Sequence, residues 1–145
     1  MTALTGQCMC GAVEVSMTPA PAGLEVCHCD MCRAWTSSMF MAIEAQGGSV
    51  TASGPVKVFT SSPWAERAFC EVCGSALWYR LTVEGPMHGQ HQVAAGLFEN
   101  AAGLSPRLEV FIDKKPTGYA LEGERRTMTE AEVIAIYAPS DEGEP

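Results

Sequence analysis

Phe69-Cys70-Glu71-Val72-Cys73-Gly74-Ser75 places two thiols on one short loop with a glycine directly behind them. Gly74 lets the chain turn tightly, so that backbone N–H groups point at the sulfurs. The pattern resembles a zinc knuckle. Zinc takes four soft ligands tetrahedrally, each sulfur at about 2.3 Å, so a second loop must supply the other two. Cys8-Met9-Cys10 is such a pair. Joined to Cys70 and Cys73, it closes a four-thiolate site that ties the start of the chain to its middle. A closed site of this kind is structural.

The chain has seven cysteines, and the three not yet used fall together in Cys27-His28-Cys29-Asp30-Met31-Cys32. An odd count does not suit a small disulfide scaffold, and a dense thiol set in a reducing compartment points to metal binding or catalysis. Three ligands leave a fourth position open, as in catalytic zinc sites. Two zinc ions per chain are therefore expected. Other readings remain open: an unmetallated, partly buried triplet, a redox disulfide between two of the three, or a closed site completed by His28. His28 lies between two ligands, so its side chain is expected to point away from the ion they share. It then supports the ligands or faces the substrate.

An open zinc binds an external thiol and lowers its pKa from about 8.5 toward neutrality. The thiolate is the nucleophile that attacks a carbonyl carbon. A nearby donor would stabilise the developing alkoxide. By position alone, His28 and Arg33 are the candidates, and Arg33 reads equally as a structural ion pair.

Working outward, the 145 residues suit one domain over 1–145, with a core of about 6–137 and a frayed acidic tail over 138–145. Hydrophobic residues make up 47% and charged ones 18%, which excludes a disordered or coiled-coil chain. Net charge is −8, and the segment from Glu122 onward supplies −5 of it, from seven acids against Arg125 and Arg126. The remaining body is near neutral. No basic patch marks a nucleic-acid partner. No run approaches the roughly 18 apolar residues of a membrane helix. Met1 to Gln7 does not read as a secretory signal, so a cytoplasmic location is expected.

The pattern of elements is mostly β. Strands are predicted over 11–17, 24–26, 39–45, 56–60, 65–69, 75–83, 91–97 and 108–112, from alternation and strand-forming residues. Pro19 and Pro21 mark 18–23 as a loop. Asp30 to Trp35 reads as one helical turn carrying Cys32. A helix follows Thr129, because Glu132 three residues on completes a capping box and Val133, Ile134, Ile136 and Tyr137 supply an apolar face. Pro139 stops it. Trp35, Trp78, Met39 and Met41 read as core, His88 and His91 as loop histidines, and Ser75 as a backbone-bonding hydroxyl.

The segments Gly6-Gln7-Cys8-Met9-Cys10-Gly11-Ala12-Val13, Cys27 to Arg33 and Phe69 to Ser75 resemble the glutathione-dependent formaldehyde-activating enzyme family, which includes the centromere protein V group. Asp113-Lys114-Lys115-Pro116 and Arg126-Thr127-Met128-Thr129-Glu130 extend the likeness. The resemblance implies a zinc-stabilised β-tent of antiparallel sheets with one short C-terminal helix. It implies structural zinc at Cys8, Cys10, Cys70 and Cys73, and a reaction-site zinc at Cys27, Cys29 and Cys32. It also implies a carbon–sulfur lyase-type activity that adds glutathione, or a similar thiol, to formaldehyde or a small aldehyde. A non-catalytic zinc-stabilised binding module, or a redox sensor built on the triplet, are the competing readings. Neither oligomeric state nor thiol identity is written in these motifs.

Overall fold

The computed structural model describes residues 2–137. Pro139 and the acidic tail lie outside them. The chain opens with β1 (Leu4–Gln7), β2 (Glu14–Met17) and β3 (Pro19–Cys27), then the short helix α1 (Asp30–Thr36). β4 (Phe40–Ala45), β5 (Thr51–Ser53), β6 (Val56–Ser62), β7 (Ala65–Cys70) and β8 (Ala76–Leu81) follow. β9 (His91–Ala94), β10 (Pro106–Val110), β11 (Arg126–Met128) and the helix α2 (Glu130–Tyr137) complete it.

The strands form two sheets. A small one runs β1-β2-β5, and a large one runs β11-β10-β3-β4-β9-β8-β7-β6. Pairing is antiparallel throughout, as expected, except at β10, which runs parallel to both β3 and β11. The mostly β class is thus realised, with α2 as the short C-terminal helix.

Alternation along the strands divides the large sheet into two faces. Ile43, Ala45, Ala68, Trp78 and Val93 point to one face and pack with Val13, Val15 and Met17 of the small sheet. This is the main core. The opposite face carries Phe40, Ala42 and Ala94, with Tyr79 packed beside them. Arg67, Tyr79 and Gln92 stand directly opposite one another across β7, β8 and β9. They line the face away from the core.

One expectation is corrected. Within the stretch over 18–23, residues from Pro19 onward form not a loop but the first half of β3, and Thr18 alone precedes the strand. Pro19 takes the first strand position, where no ladder N–H is demanded, and pairs with Ala45. The register then shifts before Leu24, so an irregularity absorbs the proline-rich sequence. The three-residue strands β5 and β11 and the four-residue β1 carry too few residues for a periodic signal; neighbouring strands define them.

Candidate functional site

The first cluster joins the two sheets. Cys8 and Cys10 leave the end of β1, Cys70 ends β7, and Cys73 sits in the turn toward β8. The four sulfurs all lie within 4.8 Å of one another. Cys8 and Cys10 sulfurs are 3.6 Å apart and those of Cys10 and Cys70 3.9 Å. Tetrahedral zinc with bonds of about 2.3 Å requires sulfurs about 3.8 Å apart, so the cluster has the size the ion demands. Backbone N–H groups already face the sulfurs: Val13 donates to Cys8 at 3.3 Å and Cys73 to Cys70 at 3.4 Å. Gly74 takes φ +80° to let the knuckle close. Ser75 Oγ accepts from the Met9 N–H and lies 3.1 Å from the Cys73 sulfur, so it stitches the two loops together.

The second cluster is Cys27, Cys29 and Cys32, again within 4.8 Å of one another. Cys27 ends β3. Cys29 caps α1, its sulfur accepting from the Cys32 N–H at 3.3 Å. Hydrogen bonds from Cys27 and Cys32 pull the Cys29 thiol far down, while Cys29, Cys32 and then burial push Cys27 well up. Three sulfurs this close repel one another once ionised. A divalent cation removes that conflict, so the donor set fits zinc.

All three of these cysteines line a cavity of about 260 Å3. Arg67 enters it from β7. Its Nη1 donates to the Cys32 sulfur at 3.5 Å, and its guanidinium carbon lies 4.9 Å from the Trp35 ring and 5.1 Å from the Tyr79 ring. Burial pushes the Tyr79 phenol up, so it stays neutral. Trp64, Phe111 and Tyr137 supply further aromatic wall.

His28 and Arg33 do not enter this cavity. His28 is fully buried and turned away from the triplet; its Nε2 lies 2.7 Å from Glu109 Oε1 on β10. Glu109 also takes the Arg125 guanidinium at 2.6 Å. Burial pulls the Glu109 carboxyl up, but the hydrogen bonds from His28 and Arg125 outweigh it and leave it lowered. Arg33 donates to the His28 carbonyl at 3.1 Å and pairs with Asp30, the structural ion-pair alternative. His88 is exposed and His91 meets Trp78 edge-on. Among the described residues neither joins a metal-ligand cluster. Trp35 packs on Phe40 and Trp78 belongs to the core.

Comparison with known proteins fits this geometry. The family model for the glutathione-dependent formaldehyde-activating enzyme matches residues 3–114. The chain belongs to that family. It is 33% identical over 132 residues to an uncharacterised lyase of Schizosaccharomyces pombe, covering 89% of this chain and 93% of that protein. A putative glutathione-dependent formaldehyde-activating enzyme of Halomonas elongata is 29% identical over 132 residues, 82% of this chain and 81% of the relative. A solved Rhodobacter sphaeroides protein shares the fold, with a TM-score of 0.56 at 20% identity over 71% of this chain and 98% of its own. No helix is long and apolar enough to cross a membrane among the described residues.

Within this family member, Arg67 is the residue that sequence reasoning missed. It stands in Ala65-Glu66-Arg67-Ala68-Phe69, a strand expected to lead into the knuckle. One signal was present: as a strand residue beside Ala68, Arg67 must face opposite to it. Which face held the cysteine triplet was not encoded locally.

Proposed function

We propose that the protein is a zinc-dependent carbon–sulfur lyase-type enzyme. It adds glutathione, or a similar thiol, to formaldehyde or a small aldehyde and gives an S-hydroxymethyl thiol adduct. The observation that carries this reading is the convergence of Cys27, Cys29 and Cys32 on the wall of one cavity, with the Arg67 guanidinium beside the Cys32 sulfur.

The residues divide by task. Cys8, Cys10, Cys70 and Cys73 would hold a structural zinc. Cys27, Cys29 and Cys32 would hold a second, which when bound stabilises the substrate sulfur as thiolate near neutral pH. In the reaction the thiolate lone pair forms the carbon–sulfur bond. The carbonyl π pair moves to oxygen, and the proton released from the thiol ends on that oxygen. No oxidant or reductant is needed. Arg67 offers a fixed positive charge on the cavity wall, where such a donor stabilises developing negative charge. His28 and Arg33 act behind the ligands: His28 anchors the Cys27–Cys29 segment to Glu109, and Arg33 braces the His28 carbonyl. Seven free thiols suit a reducing compartment, which supports a cytoplasmic location. The near-neutral body supports small-molecule partners over nucleic acid.

Cys29→Ser tests the reading. Adduct formation, followed as carbon-13 exchange between formaldehyde and thiol adduct above the uncatalysed rate, should disappear while far-UV circular dichroism stays unchanged. A variant retaining full exchange activity would sink the proposal. Wild-type protein purified without chelator should carry two zinc ions per chain, and this variant should keep the one at the four-thiolate site.

A further inference from the structure

We infer that Arg125 is a positioning residue for the cavity cysteines, acting through Glu109 and His28 to fix the segment that carries Cys27 and Cys29. The inference rests on the thiol–aldehyde reading above, in which the triplet holds a metal, and names the residues that keep those ligands in place.

Burial points to the place. Among the described residues three polar or charged ones are buried, His28, Arg67 and Glu109, and all three stand around the triplet. Arg67 reaches the Cys32 sulfur from the cavity, whereas His28 and Glu109 pair behind the ligands. The four-thiolate cluster sits instead in the apolar core. A buried ion pair adds little stability over apolar packing of the same volume, so its concentration at one site points to orientation.

The triplet needs this support more than the four-thiolate cluster does. All three of its sulfurs come from one six-residue stretch, with no second loop to hold them. Rotation of the backbone at His28 would swing Cys27 and Cys29 apart. Three grips oppose it. The His28 N–H donates to the Val110 carbonyl at 3.1 Å, the His28 carbonyl accepts from Arg33 Nε at 3.1 Å, and the ring Nε2 meets Glu109 Oε1 at 2.7 Å. Of these, the Glu109 grip is the one made by a rotatable stem on both sides. Arg125 Nη1 fixes it by holding the second carboxylate oxygen at 2.6 Å, and Arg125 is itself tied through Nη2 to the Glu122 carbonyl. The guanidinium also supplies the counter-charge that a buried carboxylate requires. Arg125 directly precedes β11, beyond the stretch 3–114 that the family model matches.

The test is metal binding by the full chain, read as cobalt(II) absorption and as zinc competition with a chromophoric chelator. Cys29→Ser identifies the part of each signal that belongs to the triplet. Arg125→Met should weaken metal at the triplet by about tenfold or more, the usual scale for groups that fix ligands from behind, and should shift the triplet's cobalt bands. The four-thiolate site should stay within about twofold of the wild type. Glu109→Gln keeps the side-chain shape and removes the charge; it should give the same selective loss, and it decides the matter if Arg125→Met does not fold. Unchanged affinity at the triplet in a folded variant, or equal weakening at both sites, would overturn the inference and leave the thiol–aldehyde reading standing. A wild type whose metal signal is identical with and without Cys29 would overturn both.

Discussion

Arg67 carries more chemistry than any residue outside the cysteine clusters, and its neighbours explain why. A guanidinium keeps its charge on burial better than an ammonium and stacks on aromatic faces. Trp35 and Tyr79 supply those faces, and the Cys32 sulfur supplies the counter-charge. Arg67→Met keeps the bulk and removes the charge. Adduct exchange should fall about a hundredfold, the usual scale for losing one donor to developing negative charge, with no loss of bound zinc. Exchange NMR and metal analysis on the same sample check both halves. His91 gives a pH-dependent prediction. Burial, and then the Arg80 charge, lower its pKa. The fold therefore favours neutral His91, and this contribution is present above the unfolded pKa of about 6.5 and lost as pH falls through the folded value. The Tm advantage of the wild type over His91→Gln should shrink between pH 7.5 and 5 in a calorimetric series. Arg67 was hidden in the sequence because Cys32 is far away along the chain, and only sheet pairing brings the two together.

At the scale of elements, α2 shows a local signal and its tertiary use. Thr129 Oγ1 accepts from the Glu132 N–H at 3.3 Å, and the Glu132 carboxylate accepts from the Thr129 N–H at 2.8 Å, which is the predicted capping box. The helix then places Val133 and Tyr137 on the cavity wall. Thr129→Ala should cost about 1 kcal/mol of stability, read as a lower denaturant midpoint. The turn between β5 and β6 is less forgiving. Gly54 sits at φ +101°, and a Cβ there would collide with the Ala12 carbonyl oxygen. Strain and backbone collision add, so Gly54→Ala should lower Tm by roughly 10 °C. Differential scanning calorimetry checks it. That glycine looked like any turn residue in the sequence; its need arises from the loop joining Cys10 to β2, which passes against it.

On the scale of the whole molecule, the four-thiolate cluster is the joint between the small sheet and the β7–β8 hairpin of the large one. Cys8 and Cys70 are buried inside the main core, among Val13, Val15 and Leu77. A zinc held there would bridge the seam, and stripping it would leave close sulfurs without a cation. Prolonged treatment with a strong zinc chelator should lower Tm by more than about 10 °C and broaden the transition. Replacing Cys29 alone should not, because the triplet lies on the other face of the large sheet. Calorimetry of both samples separates the structural site from the cavity site. The large sheet thus works on two sides: one face builds the core, and the other builds the cavity.

The cysteine spacing was enough to divide the thiols into a closed set and an open set, because metal geometry limits which short loops can share an ion. Alternation and capping were enough to place most strands, α1 and α2, because those signals reach only a few residues along the chain. The register of the large sheet was not legible. It sets Arg67 opposite Tyr79 and Tyr79 opposite Gln92 through hydrogen bonds between segments far apart in sequence. His28 follows the same division. Its place between two cysteines indicated that it turns away from them, but Glu109 and Arg125 come from distant strands and loops. Local spacing grouped the cysteines into the two clusters that the structure brings together, whereas the tertiary structure decided what surrounds them, since packing partners are chosen by the whole sheet and not by neighbours in the chain.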